Sequence, residues 1–419
     1  MQESDNMNIG RDILDTSQLC LEGDFEEQVN QLLTTVRLSR NEVEELERLL
    51  SDVSNTLSRA WPGCKVYPFG SIVTGLGIRT SDIDCYVSLP RWVKTPQNKL
   101  VFKAKHFLMA EPSIFAELLA IGAAKVPIVK FYHIPTQRHC DINFKSPAGV
   151  QNSKLLAALL HTDPRVLPLA VLIKYWSKVH NLTGTHLMPN YALSLLVVFY
   201  LQSLSILPSV HLMQQSAARQ YMVEGWNSAF EDVHYNSNEG DRSLSLYQLL
   251  GGFFDFYCHF DFENQVISIF YGRPLHKNCF KDFELLPKEF GLYKHNIFNG
   301  ISRQLKLDTL MCVQDPFDLS RNCTVCVHQK LYDKVMKYFK DTAKLFYEEH
   351  SENFLKAILK KVEYKDAVHI PITLPTAGQP SKVQKRKNKK KNVQNIQNVR
   401  ILYSQFRKNQ KKPNNFTNR

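Results

Sequence analysis

Three acidic residues lie in two short segments that alternate in polarity. Asp82 and Asp84 stand two positions apart among apolar residues, so a strand would place both carboxylates on one face. Asp141 stands in a second alternating segment and would join them there. Carboxylate oxygens are ligands that Mg²⁺ accepts and shares with phosphates. The pattern therefore predicts a divalent-metal site, and a third acid would let two ions clamp a phosphoryl transfer.

A glycine and a serine precede this acidic pair. Gly70 would allow the backbone to approach a phosphate closely, and the Ser71 hydroxyl and the amides after it could donate to phosphate oxygens if a helix begins there. The occurrence of this Gly-Ser pair shortly before the acids argues against a simpler interpretation. In that interpretation, Asp82 and Asp84 lie on a solvated strand edge and Asp141 lies at a turn.

Hydrophobic periodicity indicates which elements position these residues. Residues 24–59 have the three- and four-residue spacing of helices, and Ser39-x-x-Glu42 resembles a capping box. Residues 60–150 contain β-type runs with helical stretches between them, and 151–362 are mostly helical. The predicted fold class is α+β, with a small mixed sheet followed by a helical domain. The predicted strands are Lys65–Phe69, Ile83–Leu89, Ile128–Ile134 and His139–Phe144.

Two features of the helical region could bind a ligand. Asp163 and Pro164 are typical of the N-cap and first residue of a helix, on which Lys174 and Lys178 would lie one turn apart on one face. Tyr191 opens a long apolar run that ends at Leu207, which we interpret as a buried helix because it is too short and too polar to span a membrane.

Charge is unevenly distributed along the 419 residues. Residues 377–419 carry 13 Lys and Arg and no acid, so 39 basic and 40 acidic side chains remain elsewhere, and the net charge of +12 belongs to the tail. We expect 1–23 to be flexible and 363–419 to be a disordered basic tail. Nine scattered cysteines favour reduced thiols, and from the acidic, weakly apolar start of the sequence we expect neither a secretory signal nor a transit peptide. We expect the nucleus, the cytoplasm or both as the location.

In combination, the motifs resemble a known family. Phe69-Gly70-Ser71, Asp82-Ile83-Asp84 and Cys140-Asp141-Ile142-Asn143-Phe144 resemble the DNA polymerase β-type nucleotidyltransferase superfamily. Downstream, segments starting at Val150, Asp163, Pro189 and Asp315 resemble the RNA terminal uridylyltransferases and their poly(A) polymerase relatives. The resemblance implies a nucleotidyltransferase domain at 60–150 that faces a PAP-associated helical domain at 151–362 across a nucleotide cleft. It also implies that the helices of 24–59 pack on the helical domain.

The family motifs assign roles to individual positions. By resemblance, Asp82, Asp84 and Asp141 hold two Mg²⁺ or Mn²⁺ ions, with Asp141 as the candidate base. By the same resemblance, Gly70, Ser71, Lys174 and Lys178 bind the phosphates, and Asn152 and Ser153 contact the ribose and phosphates. Tyr191, beside Asn190, stacks on the base. The loop residues Arg321 and Asn322 complete the expected nucleotide contacts.

One position departs from the family pattern. The loop reads Asp-Pro-Phe-Asp-Leu-Ser-Arg-Asn, with Arg321 where uridylyltransferases usually have histidine. Arginine has only donors, which suit the uracil oxygens and confront the amino group of adenine, so UTP is favoured over ATP. Alternatively, Arg321 contacts a phosphate or RNA, and Asn322 or water contacts the base.

The expected activity is template-independent transfer of UMP from UTP to an RNA 3′ end by a monomer without a membrane association. There are three alternatives: transfer of AMP instead of UMP, transfer to a small molecule or a protein, and an inactive protein that only binds RNA. RNA selection would depend on the cleft rim, the basic tail or a protein partner, and the tail could instead direct nuclear import or maintain solubility.

Overall fold

The computed structural model describes residues 14–232 and 243–361. Residues 14–232, 243–290 and 304–361 form one compact unit, and 291–303 form a second, short one. The larger unit has a mixed sheet in its first half and mostly helices in its second, which confirms the α+β fold class. The predicted basic tail lies outside the described residues.

The sheet of the first half has five strands in the order β1-β2-β5-β4-β3. β2 and β5 are parallel, and the other neighbours are antiparallel. The sequence predicted four of the strands but described the segment of β3 only as helical. The strands are β1 (Lys65–Phe69), β2 (Ile83–Ser88), β3 (Phe115–Ile121), β4 (Ile128–His133) and β5 (Arg138–Asn143).

Helices and short strands make up the rest of the chain. In the first half, the helices are α1 (Phe25–Val36), α2 (Arg40–Ala60), α3 (Ser71–Thr74) and α4 (Gln97–Leu108). In the second half, they are α5 (Ala148–His161), α6 (Val166–Val179), α7 (Asn190–Ser203), α8 (Val210–Gln215), α9 (Leu246–His259), α10 (Gly291–Phe298), α11 (Gln329–Glu348) and α12 (Ser351–Leu359). The short strands are β6 (Met222–Val223), β7 (Trp226–Asn227), β8 (Gln265–Ser268), β9 (Leu275–His276) and β10 (Val313–Gln314).

The two N-terminal helices pack on different halves of the unit, which corrects the expectation that both pack on the helical domain. α1 buries Phe25 and Val29 in the helical core, whereas α2, which begins at the predicted Ser39–Glu42 capping box, buries Leu49 and Val53 in the core of the sheet. The apolar stripe of α2 covers strand residues that would otherwise face water. Residues 14–23 also differ from the expected flexible segment, because Leu21 is buried in the helical core.

Alternation along the strands gives the sheet two unlike faces. The side chains of Ile83, Cys85 and Val87 in β2 are buried against α2 and α4. The intervening residues of β2 are partly exposed on the opposite side, which we call the open face. Asp84 therefore lies on the open face, beside the second half of the unit.

The helical half is built around apolar helices. α6 begins at Val166, not at Asp163, because the Asp163 carboxylate accepts hydrogen bonds from the Arg165 backbone and guanidinium instead of capping the helix. Among the described residues, no single helix is long and apolar enough to cross a membrane. α5 and α6 reach that length and composition only as a pair, bent by 116°.

Candidate active site

Strand pairing brings the three predicted carboxylates together. Asp84 in β2 and Asp141 in β5 are partners in the parallel register, and Asp82 immediately precedes β2. Lys130 in β4 is paired with Asp141, and its Nζ lies 2.6 Å from the Asp141 Oδ2. Lys130 was not among the predicted site residues, although alternation in β4 was the signal that could have placed it on the same face as the acids.

The carboxylates lie close enough to raise the pKa of Asp84 through their mutual repulsion. Burial, followed by the charges of Asp141 and Asp82, raises the pKa of Asp84 to about 7, against the opposing effect of Lys130 and Lys174. Burial also raises the pKa of Asp141, although the Lys130 hydrogen bond and charge oppose it. Bringing a cation among these oxygens would relieve their repulsion, so the donor set and its electrostatics fit divalent metal ions.

Gly70 brings the turn after β1 against the acids. Its φ is 79°, a conformation that favours glycine, and a Cβ atom there would lie 2.6 Å from the Asp84 Oδ2. The Gly70 amide donates to the Ser153 Oγ over 2.7 Å, and that hydroxyl donates to the Gly149 carbonyl. Helix α3 begins at Ser71, which meets the condition set for donation to phosphates, and Ser153 fixes the turn from the first turns of α5.

A cavity of about 260 Å³ opens beside the acids of β2. Its lining includes Asp82 and Asp84 together with predicted nucleotide contacts, namely Gly70, Ser71, Ser153, Lys174, Lys178, Asn190 and Tyr191. Two lining atoms, the Thr80 Oγ1 and the Asn190 Oδ1, are buried without a hydrogen-bond partner. Unpaired buried polar atoms are costly, so a polar ligand that reaches them would lower that cost.

The two cavity lysines differ in their surroundings. Lys174 is buried, and its Nζ donates to the Leu76 carbonyl at 2.7 Å and the Ser81 Oγ at 3.2 Å. Burial, and then the charge of Lys178, lowers the pKa of Lys174 to about 7. Lys178 is less buried, and within the described part of the chain its carbonyl accepts from the Asn181 amide while its ammonium makes no hydrogen bond. Lys178 is therefore more available to an anionic ligand, while Lys174 also holds the segment before β2.

A buried carboxylate that was not among the predicted site residues contacts Tyr191 from outside the cavity lining. The predicted contacts Asn152 and Arg321 also lie outside that lining. Asp315 accepts hydrogen bonds from the Asn152 Nδ2 at 3.1 Å and the Tyr191 hydroxyl at 3.2 Å. The Arg321 Nη1 lies 3.5 Å from the same carboxylate, and its guanidinium lies 5.9 Å from the centre of the Tyr191 ring. The clue in the sequence was the Asp-Pro-Phe motif that begins at Asp315.

The structure does not bring Asn322 into the cavity. Its buried side-chain amide donates to the Lys306 and Met311 carbonyls and to the Thr309 hydroxyl. Its oxygen accepts from the Val313 backbone amide. All polar atoms of the side chain are thus used within the loop, so Asn322 shapes the segment that carries Arg321.

Comparisons with known proteins agree with this architecture. Residues 25–160 match the family model of the central palm domain of mitochondrial-like poly(A) RNA polymerase, and 245–321 match that of the Cid1 family poly(A) polymerases. The crystal structure of mtPAP with ATPγS has a TM-score of 0.70 at 20% identity, and the alignment covers 83% of this chain and 74% of that chain. A solved structure of Cid1 has a TM-score of 0.65 at 22% identity, and the alignment covers 81% of this chain and 99% of that chain. Both similarities support the fold.

Sequence relatives include enzymes named for both bases. The mitochondrial poly(A) RNA polymerase of Drosophila melanogaster is 31% identical over 61% of this chain and 47% of its own length. The terminal uridylyltransferase cid1 of Schizosaccharomyces pombe is 26% identical over 70% of this chain and 71% of its own length. The speckle targeted poly(A) polymerase of Danio rerio is 27% identical over 77% of this chain and 45% of its own length. The chain thus spans about half the length of the Drosophila and Danio relatives.

Proposed function

We propose that this chain, which belongs to the poly(A) polymerase and terminal uridylyltransferase family of the DNA polymerase β-type nucleotidyltransferases, transfers nucleotides from nucleoside triphosphates to RNA 3′ ends without a template. The observation that carries the proposal is the juxtaposition of Asp82, Asp84 and Asp141 with a cavity that presents Lys178 and Tyr191.

The three carboxylates are proposed to hold two Mg²⁺ or Mn²⁺ ions. When bound, such ions supply positive charge to the attacking and leaving oxygens of an in-line phosphoryl transfer. Lys130 remains close to Asp141 and helps keep that carboxylate ionised. In this state Asp141 is the candidate acceptor of the proton from the RNA 3′ hydroxyl.

The cavity side of the acids is proposed to bind the nucleoside triphosphate. The turn at Gly70 and Ser71 and the ammonium of Lys178 would contact phosphate oxygens, and Lys174 contributes charge while it holds the Leu76 carbonyl. The ring of Tyr191 would stack on the base. Asn152 is the proposed ribose contact, although it is buried outside the cavity lining, where it donates to Asp315.

We propose UTP as the preferred substrate. Asp315 accepts from both Tyr191 and Arg321, so that carboxylate is already engaged, and the remaining donors of the half-exposed Arg321 are available to a base. Uracil presents carbonyl oxygens to such donors, whereas adenine presents an amino group. Transfer of AMP by the same site is the second candidate, and the 31% identity to a mitochondrial poly(A) RNA polymerase favours it.

Extension assays distinguish these outcomes. Labelled single-stranded RNA would be incubated with each nucleoside triphosphate in Mg²⁺ and in Mn²⁺, and then with UTP and ATP in competition. We expect 3′ extension with UTP incorporated in excess. Preferential incorporation of ATP would establish the second candidate, and no extension with any nucleotide would refute the proposal. We also propose that RNA selection involves the cleft rim, the segment 363–419 or a protein partner, and that the protein acts as a monomer in the nucleus or cytoplasm.

A further inference from the structure

Two tyrosines lie on the open face beside the catalytic acids. Tyr67 in β1 and Tyr86 in β2 are direct cross-strand partners, and their rings stack with centroids 6.3 Å apart and planes 21° from parallel. Tyr86 follows Asp84 by two residues, so both side chains project from the same face of the strand. The Tyr67 side chain is 39% exposed. An accessible aromatic surface thus begins about 7 Å along β2 from Asp84.

The position of this pair relative to the nucleotide cavity indicates what could bind there. From β2 and the segment before it, the cavity lining takes Thr80, Ser81, Asp82 and Asp84, whereas Tyr86 and Asp141 are not part of it. An RNA 3′ hydroxyl must reach the acids while the nucleoside triphosphate occupies the cavity. An approach over Tyr86 would leave the cavity free for the nucleotide.

Neighbouring groups extend the tyrosine surface. Lys65 lies two residues before Tyr67 on the same face of β1 and is exposed, so its ammonium could contact a phosphate. The exposed Lys65 and the two rings thus form one strip on the open face, with a cationic group at one end and aromatic surface nearer the acids.

We propose that Tyr67 and Tyr86 bind the 3′-terminal bases of single-stranded RNA by stacking and thereby direct the 3′ hydroxyl to Asp141. This site rests on the proposed function, because it names how the acceptor RNA is held. Aromatic stacking tolerates any base, so the site would position RNA without selecting its sequence. The alternative role of the pair is to stabilise the β1–β2 pairing, as cross-strand aromatic pairs do.

The test measures RNA binding separately from transfer. A short single-stranded RNA with 2-aminopurine next to its 3′ end would be titrated into the protein without nucleoside triphosphate. We expect stacking on the wild-type protein to quench the fluorescence. The variants Tyr67→Leu and Tyr86→Leu should each weaken RNA binding by about five- to 150-fold and remove the quench. The corresponding Phe variants should retain both, because they keep the ring. Tyr347→Leu is the matched control, since Tyr347 is exposed on α11, which contributes nothing to the nucleotide cavity.

Four results would overturn the proposal. Two of them are unchanged RNA affinity and quench in both Leu variants, and an equal loss in the Phe variants. The third is loss of binding only in Tyr132→Leu, since Tyr132 lies in β4, on the other side of Asp141 from β2. The fourth is absence of RNA binding by the wild-type protein. Thermal melting identifies a variant that has merely lost strand stability, and in that case the Phe variants decide. Because the titration needs no transfer, failure of the extension assay alone would refute the proposed function and leave this binding result standing.

Discussion

Replacement of Gly70 by alanine should impair transfer more than it impairs folding. The backbone has φ 79° and ψ −153°, a region that is nearly restricted to glycine and costs about 1–3 kcal/mol for other residues. The new Cβ would lie 2.6 Å from the Asp84 Oδ2, below the 3.0 Å limit that real Cβ contacts respect, so the carboxylate must move by about 0.4 Å or more. Since a misplacement of about 1 Å can cost a hundredfold in rate, we expect kcat for extension to fall about 10- to 100-fold.

Gly63 offers a matched control for this substitution. Its φ is 85°, close to that of Gly70, but a Cβ atom there would meet only the Pro90 Cγ at 3.6 Å. Gly63→Ala should therefore strain the backbone without displacing a catalytic carboxylate, so it should lower the melting temperature and leave kcat unchanged. Single-turnover extension of a labelled RNA and thermal melting of both variants would test the comparison. A Gly70→Ala protein that retains wild-type kcat, or an equal loss of kcat in Gly63→Ala, would refute the reasoning.

Other variants test the nucleotide contacts and the tail. Tyr191→Leu should raise the KM for UTP by about five- to 150-fold, because the base loses its stacking partner. Tyr191→Phe should lose only the hydrogen bond to Asp315, which contributes about 0.5–1.5 kcal/mol. An equal rise of KM in both variants would contradict the stacking role. Arg321→Met should reduce the preference for UTP over ATP in a competition assay, and an unchanged preference would show that Arg321 does not contact the base. Deletion of 377–419 should flatten the salt dependence of RNA binding and leave nucleotide choice unchanged; an unchanged salt slope would exclude a phosphate-binding tail.

The strands that carry the acids were predictable because apolar and polar residues alternate regularly along them. Alternation around Asp84 and Asp141 identified both strands and the shared face, and the family motifs identified the fold. β3 was missed because Ala, Glu and Leu favour helices, and only pairing with β4 makes this segment a strand. A register shift at Glu117, which has a positive φ, further obscures its alternation.

Interactions between distant segments could not be predicted from local patterns. The amphipathic pattern of α2 identified a helix but did not specify which of the two cores would bury it. Asp163 was interpreted as an N-cap, yet its side chain bonds to Arg165, because a short polar side chain can also stabilise a turn two residues on. The role of Asp315 depends on Asn152, Tyr191 and Arg321, which only tertiary structure brings to one carboxylate.

Single-turnover extension by carboxylate variants tests the central claim most directly. A labelled RNA with a free 3′ hydroxyl, and the same RNA with a 3′-deoxy end, would be incubated with UTP, Mg²⁺ and the wild-type, Asp84→Asn or Asp141→Asn protein. We predict extension only by the wild type and only of the free 3′ end, with a loss of at least about 10³-fold in each folded variant, since metal-ion stabilisation of the transition state contributes several kcal/mol. Extension within tenfold of the wild-type rate by either variant would contradict the assignment of these carboxylates as the catalytic centre.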